Sequence, residues 1–277
     1  GPLTIIGEEP VPPYQRPPLS KAYLKGEMPL ERLLLRPPQW YADNGVEVVT
    51  GARVSAIDPS ARTVTVGGET RVYDDLVLAT GSVPRALAAA VGGDLAGVFL
   101  VRTLADVDRL SPEMRPGARL LVVGGGYIGL EAAAVAAQLG LEVTVVEAAP
   151  RILQRVAAEA TADAIRALHA RHGVTIREGV GLNALTGEGR VSGATLADGT
   201  TVAIDLAVVG IGVTPATGLA EGAGIGVDNG IAVDARGRTG APHVWAAGDC
   251  ASFPWRGARI RLESVQNAID QAECVAD

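Results

Sequence analysis

Cysteine is nearly missing from this 277-residue chain. Cys250 and Cys274 are too few and too far apart for a disulfide framework or a C-x-x-C site, so a reducing, cytoplasmic setting is expected. Both read as packing residues. Lysine is as scarce: of 24 basic residues only Lys21 and Lys25 are lysines, and the rest are arginine. Lys25 reads as an incidental charge, whereas Lys21 invites a chemical question. No charge-free run of 18 apolar residues occurs, which argues against a membrane span. No basic stretch leads into an apolar run near residue 1, so no signal peptide is read. Positive charge is also in deficit: a net charge of −7 and a pI near 5.1 argue against nucleic acid as the main partner. His169, His172 and His243 show neither metal-ligand spacing nor an evident acid partner, and the first two read as solvated.

What the chain does have is a globular composition, 48% hydrophobic and 20% charged, with length for about two domains. Its 35 glycines follow no collagen period and point to many sharp turns or ligand approaches. Leu3–Ile6 reads as a short buried strand. The proline-rich stretch 10–18 excludes helix and central strand, and Ser20 is placed as the N-cap of a short helix holding Lys21 and Tyr23. Strands are expected at Val46–Val49, Arg53–Ile57, Thr63–Val66 and Leu76–Ala79. Arg119–Val123, Tyr127–Leu139 and Glu142–Glu147 read as one βαβ unit. A helix at Ala158–Arg171 follows, then strands near Val174–Arg177, Val191–Leu196, Leu206–Gly210 and His243–Ala247, and a helix from about Val265. This alternation indicates an α/β architecture.

The sharpest local signal is Gly124-Gly125-Gly126-Tyr127-Ile128-Gly129, between an apolar strand and an alanine-rich helix. There GxGxxG has a physical meaning: Gly124 makes the tight turn, Gly126 admits a pyrophosphate, and Gly129 lets helix pack on strand. The helix N-terminus offers N–H groups and a positive dipole end to the phosphates. Glu147, closing the second strand, falls where an acid accepts from ribose hydroxyls and repels a 2′-phosphate, so NADH is expected over NADPH. Arg151, close by, could reach the pyrophosphate or face solvent.

Four further motifs occur in a telling order: Arg16-Pro17-Pro18-Leu19-Ser20-Lys21; Ala79-Thr80-Gly81 with Pro84-Arg85; Gly210-Ile211-Gly212-Val213-Thr214-Pro215; and Val233-Asp234 through Arg238-Thr239 to Ala246-Ala247-Gly248-Asp249. With the fingerprint and the stretch 260–268, they resemble the two-dinucleotide-binding flavoproteins. More narrowly, they resemble NADH-dependent ferredoxin reductases of bacterial P450 and aromatic-ring oxygenase systems, of the putidaredoxin reductase kind. The resemblance implies two Rossmann-like domains of three-layer ββα type. An FAD domain, residues 1–102 and 223–277, would be interrupted by an NAD domain at 103–222. It implies FAD beside NAD, with Glu8 and Glu9 at the adenosine ribose, Arg16 at the pyrophosphate and Val54 at the adenine. The Ala79-Thr80-Gly81 turn, Arg85 and Gly212 would line the cofactors. Gly248 and Asp249 would meet the ribityl chain, and Ser264 with Val265 the flavin pyrimidine at a helix start. Lys21 and Glu131 would meet beside the flavin. The implied partner is a [2Fe–2S] ferredoxin, for which Arg256, Arg259 and Arg261 beside Trp255 form a candidate basic docking patch. In that family a first FAD fingerprint precedes the position of Leu3, and an interface domain follows the helix at Val265, so a partial chain is expected.

Other readings of the same motifs remain open here. A flavin peroxidase or disulfide reductase needs a redox cysteine where Pro18-Leu19-Ser20-Lys21-Ala22 has none. An NADH-responsive binding protein resembling apoptosis-inducing factor, or an NAD-binding module without turnover, would share the motifs. The assignment of Glu147 has a direct check. NADH should bind more tightly than NADPH, and Glu147→Arg should narrow the gap, as read by titration of both dinucleotides. Equal affinity in the unmodified chain would remove Glu147 from the ribose.

Overall fold

A computed structural model describes residues 1–277. The chain divides into two compact units, one of residues 1–14, 35–83 and 213–277, the other of residues 15–34 and 84–212.

The second unit is built on five parallel strands in the order Thr175–Glu178, Glu142–Glu147, Arg119–Val123, Leu206–Val209, Val98–Phe99. Leu121, Val122, Ala207 and Val208 are wholly buried, as strands covered on both faces must be. One face packs against an antiparallel layer, Leu182–Thr186, Gly193–Leu196 and Thr201–Ala203. Leu185, Val191, Ala194, Leu196 and Ile204 meet Leu121, Val123 and Val146 there. The helices Tyr127–Gln138 and Glu159–Arg171 complete the ββα sandwich. Ala132, Ala133 and Ala136, with no exposed surface, keep the first helix close to its neighbours. The strand order reverses between Arg119–Val123 and Leu206–Val209, and a ligand crevice is expected beyond the carboxyl ends at such a point. Those ends carry Gly124 and Gly210.

Residues 15–34 attach to this unit through Leu19, Leu24 and Leu33, all at most 2% exposed, and through polar ties. Tyr23 donates its hydroxyl to Asp108 at 2.7 Å, and Arg16 donates to the Arg102 carbonyl at 2.8 Å. Burial first, then the Asp108 hydrogen bond, pushes the Tyr23 phenol up to about 12, so it stays a donor at neutral pH. Asp108 lies on the helix Leu104–Leu110, whose start is fixed by a reciprocal Thr103–Asp106 capping box.

The first unit pairs Leu3–Ile6 with Val46–Val49 and Leu76–Leu78 with Val244–Ala246, both in parallel. It adds the meander Val54–Asp58, Thr63–Val66 and Glu69–Val72, and the hairpin Ala251–Trp255 with Ala258–Ile260. Its core gathers Ile57, Val64, Leu78, Ile231, Val244, Ala246 and Cys250. The helix Val265–Ala276 ends the chain, and no helix is long and apolar enough to cross a membrane.

Several expectations need correction. Leu3–Ile6 is a strand with those bounds, but Leu3 is 57% exposed because one neighbouring strand is its whole ladder. Ser20 caps nothing. It closes the short 3₁₀ turn Pro17–Ser20, the backbone continues in turns, and its hydroxyl goes to Glu131. His169 is buried rather than solvated, its ring nitrogens 3.0 and 3.1 Å from the Ile165 and Leu130 carbonyls. His243 has an acid partner, Asp75, at 3.0 Å. Cys274 is exposed, while Cys250 is buried. The compact units, a division by packing, have limits of their own. Residues 84–102 carry Val98–Phe99 into the parallel sheet, whereas Leu219 and Ala220 pack in the first unit's core.

Asp205 ties the start of the central strand, accepting from the Arg119 backbone N–H at 2.8 Å and from its guanidinium at 2.7 and 3.0 Å. The hydrogen bonds from the Arg119 side chain, then backbone, hold its carboxyl down at about 2. A depressed carboxyl stabilises the fold above the unfolded value of about 4 and loses that contribution as pH falls from about 4 to about 2. Both side chains are nearly half exposed, so less than about 1 kcal/mol is expected. Asp205→Asn should lose stability at pH 7 and show a shallower acid decline, checked by urea unfolding at pH 7, 4 and 2.5.

Candidate functional site

At the switch point three glycines bring backbones into direct contact. Gly124 turns with φ +109°, and a Cβ there would lie 2.3 Å from the Gly210 carbonyl oxygen. A Cβ on Gly129 would lie 2.2 Å from the Gly124 carbonyl oxygen, so the helix can start this close to the strand only with glycine there. Gly126 differs: its φ is an ordinary −81°, and a Cβ would meet nothing within 4 Å. It is the N-cap of the helix and offers no side-chain acceptor. The first-turn N–H groups of Tyr127, Ile128 and Gly129 lack intrahelical acceptors. An open floor, uncapped N–H groups and the dipole's positive end fit a pyrophosphate. Tyr127 and Ile128 are 58% and 37% exposed beside it.

Glu147 is drawn into the same cradle. One carboxylate oxygen accepts from the Gly125 N–H and the other from the Ala149 N–H, both at 2.7 Å. Each oxygen keeps a lone pair for a further donor, which suits a ribose diol. Gly125 had no role in the sequence reading. A Cβ there would lie 2.6 Å from Ile152 Cγ2, which explains a third consecutive glycine. The Arg151 guanidinium donates to the carbonyls of Ile152, Gln154 and Ala157. Gly212 (φ +101°) has open space where a Cβ would be, and its carbonyl accepts from the Arg85 N–H at 2.9 Å. The Arg85 side chain is exposed.

Lys21 and Glu131 are brought together, Nζ to Oε2 at 2.6 Å, and the Ser20 hydroxyl donates to the same oxygen at 2.6 Å. Lys21 also donates to the Pro17 carbonyl at 3.1 Å. The pair is 49% and 30% exposed, so it adds under about 1 kcal/mol to stability, and its value lies in placement. Lys25 pairs instead with Glu27 at 2.7 Å.

In the first unit Glu8 pairs with Arg53 at 3.0 Å at the surface, and Glu9 accepts from the Tyr14 hydroxyl at 2.5 Å. Val54 opens a strand whose register shifts before Ala56. After Ala79, the Thr80 hydroxyl donates to the Ala216 carbonyl, and Gly81 (φ +69°) accepts from the Ala216 N–H. Ser82 donates to Asp249 at 3.1 Å, and Gly248 (φ +81°) donates its N–H to Gln271. Ser264 caps the last helix by accepting from the Asn267 N–H, leaving those of Val265 and Gln266 uncapped. Val265 is 56% exposed, so its N–H stands at an accessible helix start, which fits an electron-rich flavin edge.

The basic patch needs correction. Arg259 donates to the Val233 and Ser252 carbonyls, and Arg261, its side chain 9% exposed, to the Asp249 carbonyl and Glu263. Both guanidinium groups satisfy backbone acceptors of their own unit. Arg259 keeps about a third of its side chain exposed, and Arg256 lies over the Trp255 ring at 5.3 Å.

Residues 1–272 match the family model described as pyridine nucleotide-disulphide oxidoreductase. The chain belongs to that family. It is 45% identical to a ferredoxin--NAD(P)(+) reductase of Sphingomonas sp, covering 100% of this chain and 68% of that protein. It is 43% identical to rhodocoxin reductase of Rhodococcus erythropolis, covering 100% and 65%. In the covalent putidaredoxin reductase–putidaredoxin complex the match has a TM-score of 0.96 at 38% identity, covering 100% of this chain and 68% of that one. The ββα sandwich is thus the pyridine nucleotide-disulphide oxidoreductase fold. The disulphide chemistry in the family's name has no thiol to run on at Ser20: Cys250 is in the first unit's core and Cys274 on the last helix.

The glycines separate fold from ligand. Gly124→Ala forces a left-handed backbone and a carbonyl clash, and should cost about 1–3 kcal/mol of stability. Gly126→Ala should cost at most about 1 kcal/mol as a poorer cap, yet weaken NADH binding at least about tenfold by filling the cradle. Thermal melts beside dinucleotide titrations check both.

Proposed function

We propose that this protein is an FAD-dependent ferredoxin–NAD(+) reductase, passing electrons from NADH to a [2Fe–2S] ferredoxin that feeds a P450 or ring-hydroxylating oxygenase. The carrying observation is the Gly124–Gly129 cradle with Glu147 tied into it, in a chain alike over its whole length to reductases named for ferredoxin and rhodocoxin. When bound, NADH supplies a hydride and FAD divides it into single electrons. The chain's own groups bind and orient. The N–H groups of Tyr127, Ile128 and Gly129 take the dinucleotide pyrophosphate, and Glu147 accepts from the ribose hydroxyls. Lys21 and Ser20 fix one oxygen of Glu131, leaving the other for the nicotinamide amide. Glu9, Asp249 and the Val265 N–H are the first unit's groups for FAD. An NAD domain at 103–222 within an FAD domain, and a cytoplasmic setting suited to unpaired cysteines, belong to this reading. Arg256, with the partly exposed Arg259, is the accessible charge of the docking patch.

Steady-state NADH oxidation by the FAD-supplemented protein tests it, with ferricyanide and a [2Fe–2S] ferredoxin as acceptors. Both should be reduced. Lys21→Ala should lower the rate with either acceptor about tenfold or more, Lys25→Ala by less than about twofold. Arg256→Glu should slow only ferredoxin, and less so as salt rises. NADH binding without turnover would leave a binding protein instead.

A further inference from the structure

Residues 148–158, after Glu147, form neither helix nor strand, yet Ile152 has no exposed surface and Leu153 only 6%. Leu153 sits at φ +53°, a conformation that a leucine keeps only when its surroundings impose it. Two contacts impose it. The Leu153 N–H donates to the Gly125 carbonyl at 3.0 Å, and the Ile152 N–H donates to Glu178 Oε1 at 2.7 Å. Glu178 is gripped in turn by Arg166, whose Nε and one terminal nitrogen each reach the carboxylate at 2.9 Å, while its other terminal nitrogen holds Asp163 at 2.7 Å. Gly125, fixed by Leu153 through its carbonyl, gives its N–H to Glu147.

Glu178 also stands directly opposite Glu147 in the ladder of adjacent parallel strands. Such neighbours lie about 4.8 Å apart across the ladder, so two carboxylates end the strands side by side. Arg166 neutralises the one that is not in the cradle. Burial pushes the Glu178 carboxyl up, but the hydrogen bonds from Arg166 and the Ile152 N–H outweigh it, and the group stays below its ordinary value, ionised at neutral pH.

We propose that Glu178, clamped by Arg166, is a positioning residue for dinucleotide selectivity: it holds Ile152 and Leu153 under Gly125 and thereby sets where the Glu147 carboxylate meets the ribose. The inference rests on the dinucleotide reading of the cradle. Glu178 and Arg166 touch no ligand, and they act through the loop.

Calorimetric titration of NADH and NADPH into the protein and its variants tests this without reference to turnover. Glu178→Ala should weaken NADH about tenfold and leave NADPH within about twofold, so the preference collapses. Glu178→Gln keeps an acceptor for the Ile152 N–H and should retain most of the preference. Arg166→Ala spares that bond and guards against a folding failure of Glu178→Ala. It should narrow the preference about threefold. Arg177→Ala, which removes the neighbour of Glu178 on the same strand and its pair with Asp198, should leave the ratio unchanged. An NADH-selective parent whose ratio survives both Glu178→Ala and Arg166→Ala overturns the positioning role alone. A parent that binds neither dinucleotide overturns the cradle reading and this inference with it.

Discussion

Everything at the dinucleotide cradle depends on three backbones touching where side chains would forbid it. Gly124 lies against Gly210, and Gly129 against Gly124. Because those atoms meet, the fingerprint helix starts at the strand end, with its first-turn N–H groups free of any side-chain cap. The buried alanines one turn further on extend the same close packing. A single methyl group at 124 or 129 would push helix from sheet and scatter the donors. The parallel sheet, the loop under Gly125 and the anchoring of Glu147 all presuppose this spacing.

The segments that contain their own determinants could be read from sequence. Arg119–Val123 and Glu142–Glu147 have the expected bounds because their apolar runs are buried on both faces and their ends are marked by glycine and acid. The turn at Gly124 and the close helix–strand approach at Gly129 were equally readable. Lys21 opposite Glu131 was not a matter of pattern, since 110 positions separate them, and only the resemblance joined them before the geometry did. The hairpin strand Glu69–Val72 went unread although Gly67 and Gly68, both at positive φ, form a two-residue turn that the sequence displays.

What stayed hidden was direction. Arg259 and Arg261 alternate on a short extended stretch, and a string of letters makes them look like a surface patch. The fold turns Arg261 inward and ties both guanidinium groups to backbone carbonyls of their own unit. His169 and Arg151 are further cases: long polar side chains near an apparent surface were taken up by backbone acceptors. In a chain with almost no lysine, arginine serves as the main long donor, and its planar fork can reach two or three carbonyls at once. The exposure of an arginine in this sequence therefore does not tell where its donors go.

The bond from the Arg85 N–H to the Gly212 carbonyl has a consequence for how the chain collapses. It fastens together the two places where the polypeptide enters and leaves the long stretch 84–212. Asp75 and His243, whose side chains meet in the first unit, are 168 residues apart along the chain. With the intervening unit folded and its ends fastened, the open loop between them is a fraction of that length. Each fourfold shortening lowers the closure entropy cost by about 1.2 kcal/mol. The fastened stretch acts as a clasp. It turns the remote pairing of Leu76–Leu78 with Val244–Ala246 into a nearly local one.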